Sequence, residues 1–238
     1  MNHCLVRMGG VGSRFGADRP KQYVEIEGKP IFIYILQKLI KTECIDDIVI
    51  VSHSEWIDFV KEKIVEFITT EKKIVITAGG ETRSESVKNG LKVLKEFSLA
   101  SDVVLIHDAT HPYVDVDGTE KVIEAVKRYG GATLGACQYD TCYRMDGNGF
   151  IEEVIPRQFL VSGASPEAFK FQLIYDIYMN ALQEELDAMT SAGAIALAHN
   201  IKMAVVPSNV LNLKITYKND MELFKKLINT YFFTDESR

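Results

Sequence analysis

Apolar residues along this chain fall into two rhythms. The runs Ile48-Val49-Ile50-Val51, Ile74-Val75-Ile76 and Val103-Val104-Leu105-Ile106 are short, continuous and rich in β-branched residues, so each predicts a buried strand. Cys4 to Arg7 is a further short strand, leading into a glycine-rich loop. Between these runs, apolar residues recur at helical spacing. Pro30 opens a helix that continues through Ile31 to Ile40, and Trp56 to Ile68, Ser86 to Phe97 and Glu120 to Tyr129 follow the same pattern. Thr133 to Cys137 adds another strand. Strand–helix alternation of this kind predicts an α/β fold: a mostly parallel, Rossmann-like sheet with helices on both faces. Functional residues are then expected at the carboxyl ends of the strands.

The alternation breaks after Cys137. Thr141 to Met145 and Phe150 to Ile155 flank Asp146-Gly147-Asn148-Gly149, a strong turn signal, so a β-hairpin arm is expected to protrude from the sheet. Ser165-Pro166-Glu167 reads as a helix start, with Ser as N-cap and Pro at the first helical position, running to about Ala188. Met203 to Val206 and Leu213-Lys214-Ile215 read as late strands, and Asp220 to Ile228 as a closing helix. With no internal repeat or linker, residues 1–238 read as one domain carrying an arm at 138–160.

Composition narrows the function classes. Of 238 residues, 47% are hydrophobic, enough for a full core. The formal net charge of −6 makes nucleic acid a poor partner, since phosphate backbones need clustered Lys and Arg. Any phosphate must be held in a local basic pocket. Cys4, Cys44, Cys137 and Cys142 form no Cys-x-x-Cys pair and no zinc spacing, so they read as reduced thiols of a cytoplasmic protein. No secretion signal is visible, and no stretch reaches the roughly 18–20 apolar residues that span a bilayer.

Four segments carry candidate chemistry. Gly9-Gly10-Val11-Gly12-Ser13-Arg14-Phe15-Gly16 runs on to Pro20-Lys21-Gln22. Its glycines let the backbone approach a ligand, and Arg14 and Lys21 put two cations over the turn. Phe15 stands where a dinucleotide fingerprint needs its third glycine, and no P-loop Gly-Lys-Ser/Thr follows. Gly79-Gly80-Glu81-Thr82-Arg83-Ser84-Glu85-Ser86-Val87 joins a strand to a helix, with Ser84 or Ser86 able to cap it or bind a ligand. His107-Asp108-Ala109-Thr110-His111-Pro112 ends the most apolar strand, where a carboxylate is well placed to hold magnesium carrying triphosphate oxygens. The four-residue spacing of His107 and His111 suits a helical metal pair, but Pro112 argues against a helix, and a buried, hydrogen-bonded His107 is expected instead. In Asn212-Leu213-Lys214-Ile215-Thr216, a lysine among apolar residues should meet an anion.

In their order and spacing, these segments, with Asp140-Thr141 and Arg157, resemble the cytidylyltransferases that make CDP-methylerythritol in isoprenoid synthesis and their relatives that make CDP-ribitol for surface polymers. The similarity spans nearly the whole chain. It implies a sheet of the nucleotidyltransferase type and transfer of CMP from CTP to a polyol phosphate, with release of pyrophosphate. Arg14, Lys21 and Lys214 would stabilise charge on the phosphates, while Gly10 and Gly12 lie against the nucleotide. Gly80 and Ser86 would read the cytosine edge, and Asp108 would hold Mg2+. Thr141 and Arg157 would grip the acceptor phosphate from an arm that crosses to the second subunit of a homodimer.

The chain departs from the family pattern at three places. His111 stands where an Arg commonly precedes the proline, so His111 is expected to make a smaller or displaced contact with the acceptor. Ser165-Pro166-Glu167 replaces a usual Thr-Pro-Gln, and Ser191-Ala192-Gly193 follows Thr190 where an Asp-Asp pair is usual. These changes tilt the expected acceptor toward ribitol 5-phosphate or a similar alditol phosphate, with 2-C-methyl-D-erythritol 4-phosphate as the alternative. A non-catalytic nucleotide-binding relative and a dehydrogenase are the remaining readings. The latter also lacks an acidic residue ending its second strand, where Ser52 and His53 follow Val51.

Overall fold

The computed structural model describes residues 1–9 and 19–232. The first half carries β1 (Asn2–Met8), a small ladder of β2 (Glu25–Ile26) and β3 (Lys29–Pro30), α1 (Ile31–Lys41), β4 (Asp47–Ser52) and α2 (Ile57–Phe67). It continues with β5 (Lys73–Ala78), α3 (Arg83–Lys95), β6 (Val103–Asp108), α4 (Val116–Tyr129) and β7 (Gly131–Cys137). The arm strands β8 (Cys142–Met145) and β9 (Ile151–Ile155) follow, then β10 (Val161–Lys170). The chain closes through α5 (Phe171–Asn180), α6 (Gln183–Asp187), α7 (Ala192–Ala198), β11 (Met203–Pro207) and α8 (Lys218–Leu227).

Seven strands form one sheet in the order β11-β7-β10-β6-β1-β4-β5. All neighbours are parallel except β10, which runs antiparallel to both β6 and β7. The expected α/β fold with a mostly parallel sheet is thus present. Alternation along the strands feeds two apolar layers. Val6, Ile48, Ile50 and Leu105 pack with Phe32, Leu36, Val122 and Val126 on one face. Leu5, Val49, Val51 and Val104 pack with Val87, Leu91, Phe169 and Ile174 on the other. A third cluster seats α8 on the start of α1 through Ile31, Tyr34, Ile215 and Phe224. The arm strands pair only with each other, in a separate two-stranded sheet. No described helix is long and apolar enough to cross a membrane.

Three expectations fail here. Ser165-Pro166-Glu167 does not open a helix. It lies inside β10, whose flanks pair with β7 and β6, and helix α5 begins only at Phe171. The proline sits where the β10–β7 register shifts between Ala164 and Glu167, a place that tolerates a missing N–H. Leu213-Lys214-Ile215 is not a strand either. Strand β6 already has β1 and β10 on its two edges, so this segment joins no ladder; Ile215 N–H donates to the Thr110 carbonyl at 2.8 Å and Leu213 N–H to the Leu211 carbonyl at 2.8 Å. Finally, α3 starts at Arg83 rather than Ser86. Thr82 caps it in a box with Glu85, so neither Ser84 nor Ser86 is the cap.

Candidate active site

The parallel strands β1, β4, β5 and β6 end on the same edge of the sheet, and two clusters form there. The first surrounds Ser86. Gly79 N–H donates to the Ser52 carbonyl at 2.7 Å, and Gly80 N–H donates to Ser86 Oγ at 3.2 Å. A Cβ added at Gly79 would stand 2.7 Å from Ser86 Oγ, and one at Gly80 would stand 2.3 Å from Glu85 Cβ, so this turn is closed to larger residues. Ser86 is buried, which leaves backbone as the main surface of the turn. Lys21 opens a one-turn helix, Lys21–Tyr23, pinned to the end of β1: Gln22 Nε2 and Tyr23 Oη both donate to the Met8 carbonyl, at 2.7 and 3.1 Å. Gly10, Gly12 and Arg14 lie outside the described residues.

The second cluster surrounds Asp108. Arg7 donates from Nε at 2.9 Å and from Nη2 at 2.6 Å to one carboxylate oxygen, and Lys214 Nζ lies 3.4 Å from the other. Arg83 stands 3.9 Å from Asp108 and 3.8 Å from Glu167. Burial alone would raise the Asp108 pKa, but Arg7, Arg83 and Lys214 together overcome it and hold the carboxyl well below its usual range. The lysine expected to meet an anion therefore does so. Glu167 accepts backbone N–H bonds from Ala192 at 3.1 Å and Gly193 at 3.0 Å. His111 is buried with Nδ1 2.9 Å from Ser165 Oγ, which also accepts from the Asp108 N–H at 3.3 Å. Burial drives the His111 pKa down to about 3 against the pull of Asp108, so its ring is neutral near pH 7. His107 is fully buried and donates from Nε2 to the His111 carbonyl at 3.0 Å, in keeping with the expected core role.

The described chain thus brings together Asp108, Lys214 and His111 on one side and Gly80 and Ser86 on the other. Thr141 and Arg157 stay out on the arm. Arg157 donates to the Tyr139 carbonyl, and among the described residues neither makes a hydrogen bond or ion pair to the Asp108 cluster. Arg7, Arg83, Ser165 and Glu167 carry no site role in the sequence reading, which takes Ser165 for a helix N-cap. Arg7 carried a legible signal: a cation closing a buried strand needs an anion, by the same logic that singled out Lys214. Among the described residues no group of three His, Cys, Asp or Glu side chains is assembled to hold a metal. One carboxylate at a strand end suits a hard cation that arrives with phosphate oxygens, not one caged by protein alone. A single carboxylate between three cations, beside a glycine turn, can gather phosphates and neutralise charge developing on them.

This fold and site define the class: an α/β nucleotidyltransferase. Comparison with known proteins narrows it. The family model described as IspD, 2-C-methyl-D-erythritol 4-phosphate cytidylyltransferase, matches residues 3–229. The chain belongs to this family of cytidylyltransferases, enzymes that act on phosphorylated polyols. It is 34% identical over 229 residues to the 2-C-methyl-D-erythritol 4-phosphate cytidylyltransferase of Clostridium botulinum, covering 96% of this chain and 100% of that one. It is also 30% identical over 228 residues to the ribitol-5-phosphate cytidylyltransferase of Streptococcus agalactiae serotype Ia, covering 95% of each. The crystal structure of the Francisella tularensis 2-C-methyl-D-erythritol 4-phosphate cytidylyltransferase superposes with a TM-score of 0.76 at 26% identity, over 93% of this chain and 97% of that one.

Proposed function

We propose that this enzyme transfers CMP from CTP to an alditol phosphate, ribitol 5-phosphate or a close analogue, and releases pyrophosphate. One observation carries the choice of acceptor. The three places where the chain departs from the family pattern touch one another around Asp108: His111 bonds Ser165, and Glu167 bonds Ala192 and Gly193. Changes that meet in one contact network mark a remodelled surface rather than scattered drift. A second reading, 2-C-methyl-D-erythritol 4-phosphate as acceptor, is favoured by the name of the 34% identical Clostridium botulinum relative.

In this reading an oxygen of the acceptor phosphate attacks the α-phosphorus in line and pyrophosphate leaves. No covalent intermediate on the protein is needed, so the chain contributes positioning and charge. Lys21 and Arg14 hold the triphosphate, Lys214 braces the reacting phosphate, and Gly10 and Gly12 lie along the nucleotide. Gly80 and Ser86 present polar groups to the cytosine edge. Asp108 would hold Mg2+, which when bound neutralises phosphate charge. Thr141 and Arg157 grip the acceptor from the neighbouring subunit. The arm supports that homodimer: Phe150, Ile151, Val154 and Phe159 are all exposed on it, and a two-stranded sheet is marginal in water without a packing partner. The four free cysteines fit the reducing cytoplasm.

The test is pyrophosphate release by the purified protein with magnesium, CTP and each acceptor, repeated with ATP and GTP. Release with CTP and ribitol 5-phosphate is expected, with purine triphosphates much poorer. Release confined to 2-C-methyl-D-erythritol 4-phosphate would establish the second reading instead. Light scattering should give a dimer at micromolar protein, and a fully active monomer would contradict the shared site.

A further inference from the structure

Arg7 is the last residue but one of β1, after the buried apolar residues Cys4, Leu5 and Val6. Its register partner across the β1–β6 pair is Asp108, the residue it binds. Those two strands are already joined by six register pairs, so the ion pair is not what holds them. Only Nε and Nη2 are spent on the carboxylate, and Nη1 has no hydrogen-bond partner among the described residues. The Arg7 side chain keeps 17% exposure, against 9% for Asp108, so the arginine is the more open member of the pair.

The charge count points the same way. Among the described residues, Arg7, Arg83 and Lys214 meet two carboxylates, Asp108 and Glu167, which leaves one positive charge more than negative in this set. Glu167 is also occupied by the backbone of Ala192 and Gly193. His111 offers no forked donor, because its ring is buried and its Nδ1 faces Ser165. A forked cation hydrogen-bonded to Asp108 is thus found at position 7, with Arg83 further off at 3.9 Å, and none stands at position 111.

We propose that Arg7 is an acceptor-binding residue: anchored on Asp108, its guanidinium gives its remaining N–H edge to the attacking phosphate of the acceptor. Asp108 is then a positioning residue for Arg7, holding the guanidinium through two N–H bonds to a single carboxylate oxygen. The charge that the family commonly carries on the loop after β6 has moved to the end of β1. This inference rests on the functional reading above.

The experiment is steady-state kinetics on the purified wild type, Arg7→Lys, Arg7→Met and Arg7→Met/His111→Arg, with thermal melts of each. The acceptor is whichever of ribitol 5-phosphate and 2-C-methyl-D-erythritol 4-phosphate the wild type turns over. Arg7→Met should raise the acceptor KM by about 10- to 100-fold, while the CTP KM stays within about twofold, because a charge-assisted contact to one substrate is lost. Arg7→Lys keeps the charge without the fork and should fall between, and the double variant should recover part of the acceptor KM. A folded Arg7→Met with unchanged acceptor KM, or with both KM values raised equally, would overturn the assignment. If Arg7→Met does not fold, Arg7→Lys decides, since a wild-type acceptor KM in that variant overturns it as well. Absence of turnover by the wild type with either acceptor is a different result, and sinks the functional reading itself.

Discussion

In the cluster around Ser86, Gly9, Gly79 and Gly80 crowd a buried side chain, and the surface is mostly backbone. In the second cluster, Asp108 sits among Arg7, Arg83 and Lys214, and the surface is charged side chains. A backbone turn packed this closely admits almost no substitution without moving its neighbours. A cluster of charges can be rearranged, provided each buried charge keeps a partner. The difference explains why the glycine motifs follow the family pattern while positions 111, 165–167 and 191–193 do not.

The largest effect is expected at the reacting centre. Lys214→Ala should lower turnover on the order of 10²–10³-fold, as loss of a preorganised charge contact does at comparable sites. Its side chain is half-exposed, so folding should be little affected. Near-normal turnover in saturating substrates would remove Lys214 from the chemistry and leave the acceptor cluster as mere charge compensation.

Gly80→Ala probes the other side. The new Cβ would lie 2.3 Å from Glu85 Cβ and 3.3 Å from the Glu85 carbonyl carbon, which is backbone and cannot swing away. Overpacking of this kind costs about 1–3 kcal/mol, so denaturant unfolding should shift by that much. The CTP KM should rise while the preference between acceptors is unchanged. A variant with wild-type stability would mean that the turn yields and the contrast between the two sides is weaker than argued.

A smaller effect concerns pH. His111 is held neutral in the folded chain, with its pKa pushed down to about 3 by burial. An unfolded histidine titrates near 6.5. The unfolded state therefore binds more protons as pH falls below that value, and the His111 contribution to stability is present above it and lost toward the folded pKa. Between pH 7 and pH 5 the wild type should lose on the order of 1–2 kcal/mol more than His111→Gln. Parallel stability profiles would show that the ring is more open to water than its burial implies.

Much of this architecture was legible in the sequence because strand runs such as Val103 to Ile106 are buried on both faces and carry an unbroken apolar signature. Lys214 was legible because a charge within an apolar segment needs a partner, whereas Asp108 stood out as a strand-end carboxylate suited to magnesium and not through the cations that surround it. The misread places have physical causes. Ser165-Pro166-Glu167 has the local chemistry of a helix start, but pairing of β10 on both edges outweighs it. The Leu213–Ile215 segment has a strand's composition, yet no edge of β6 is open to receive it. Glu167 stood out only as a departure from the family pattern, and its partners, the N–H groups of Ala192 and Gly193, are invisible in side-chain chemistry.

The most direct test of the acceptor assignment is the ratio of kcat/KM for ribitol 5-phosphate to that for 2-C-methyl-D-erythritol 4-phosphate, measured with CTP in the wild type and in His111→Arg. The wild type should favour ribitol 5-phosphate. Restoring a forked cation at position 111 should move the ratio toward 2-C-methyl-D-erythritol 4-phosphate, with the CTP KM little changed. A wild type that prefers 2-C-methyl-D-erythritol 4-phosphate, with a ratio indifferent to the substitution, would contradict the account.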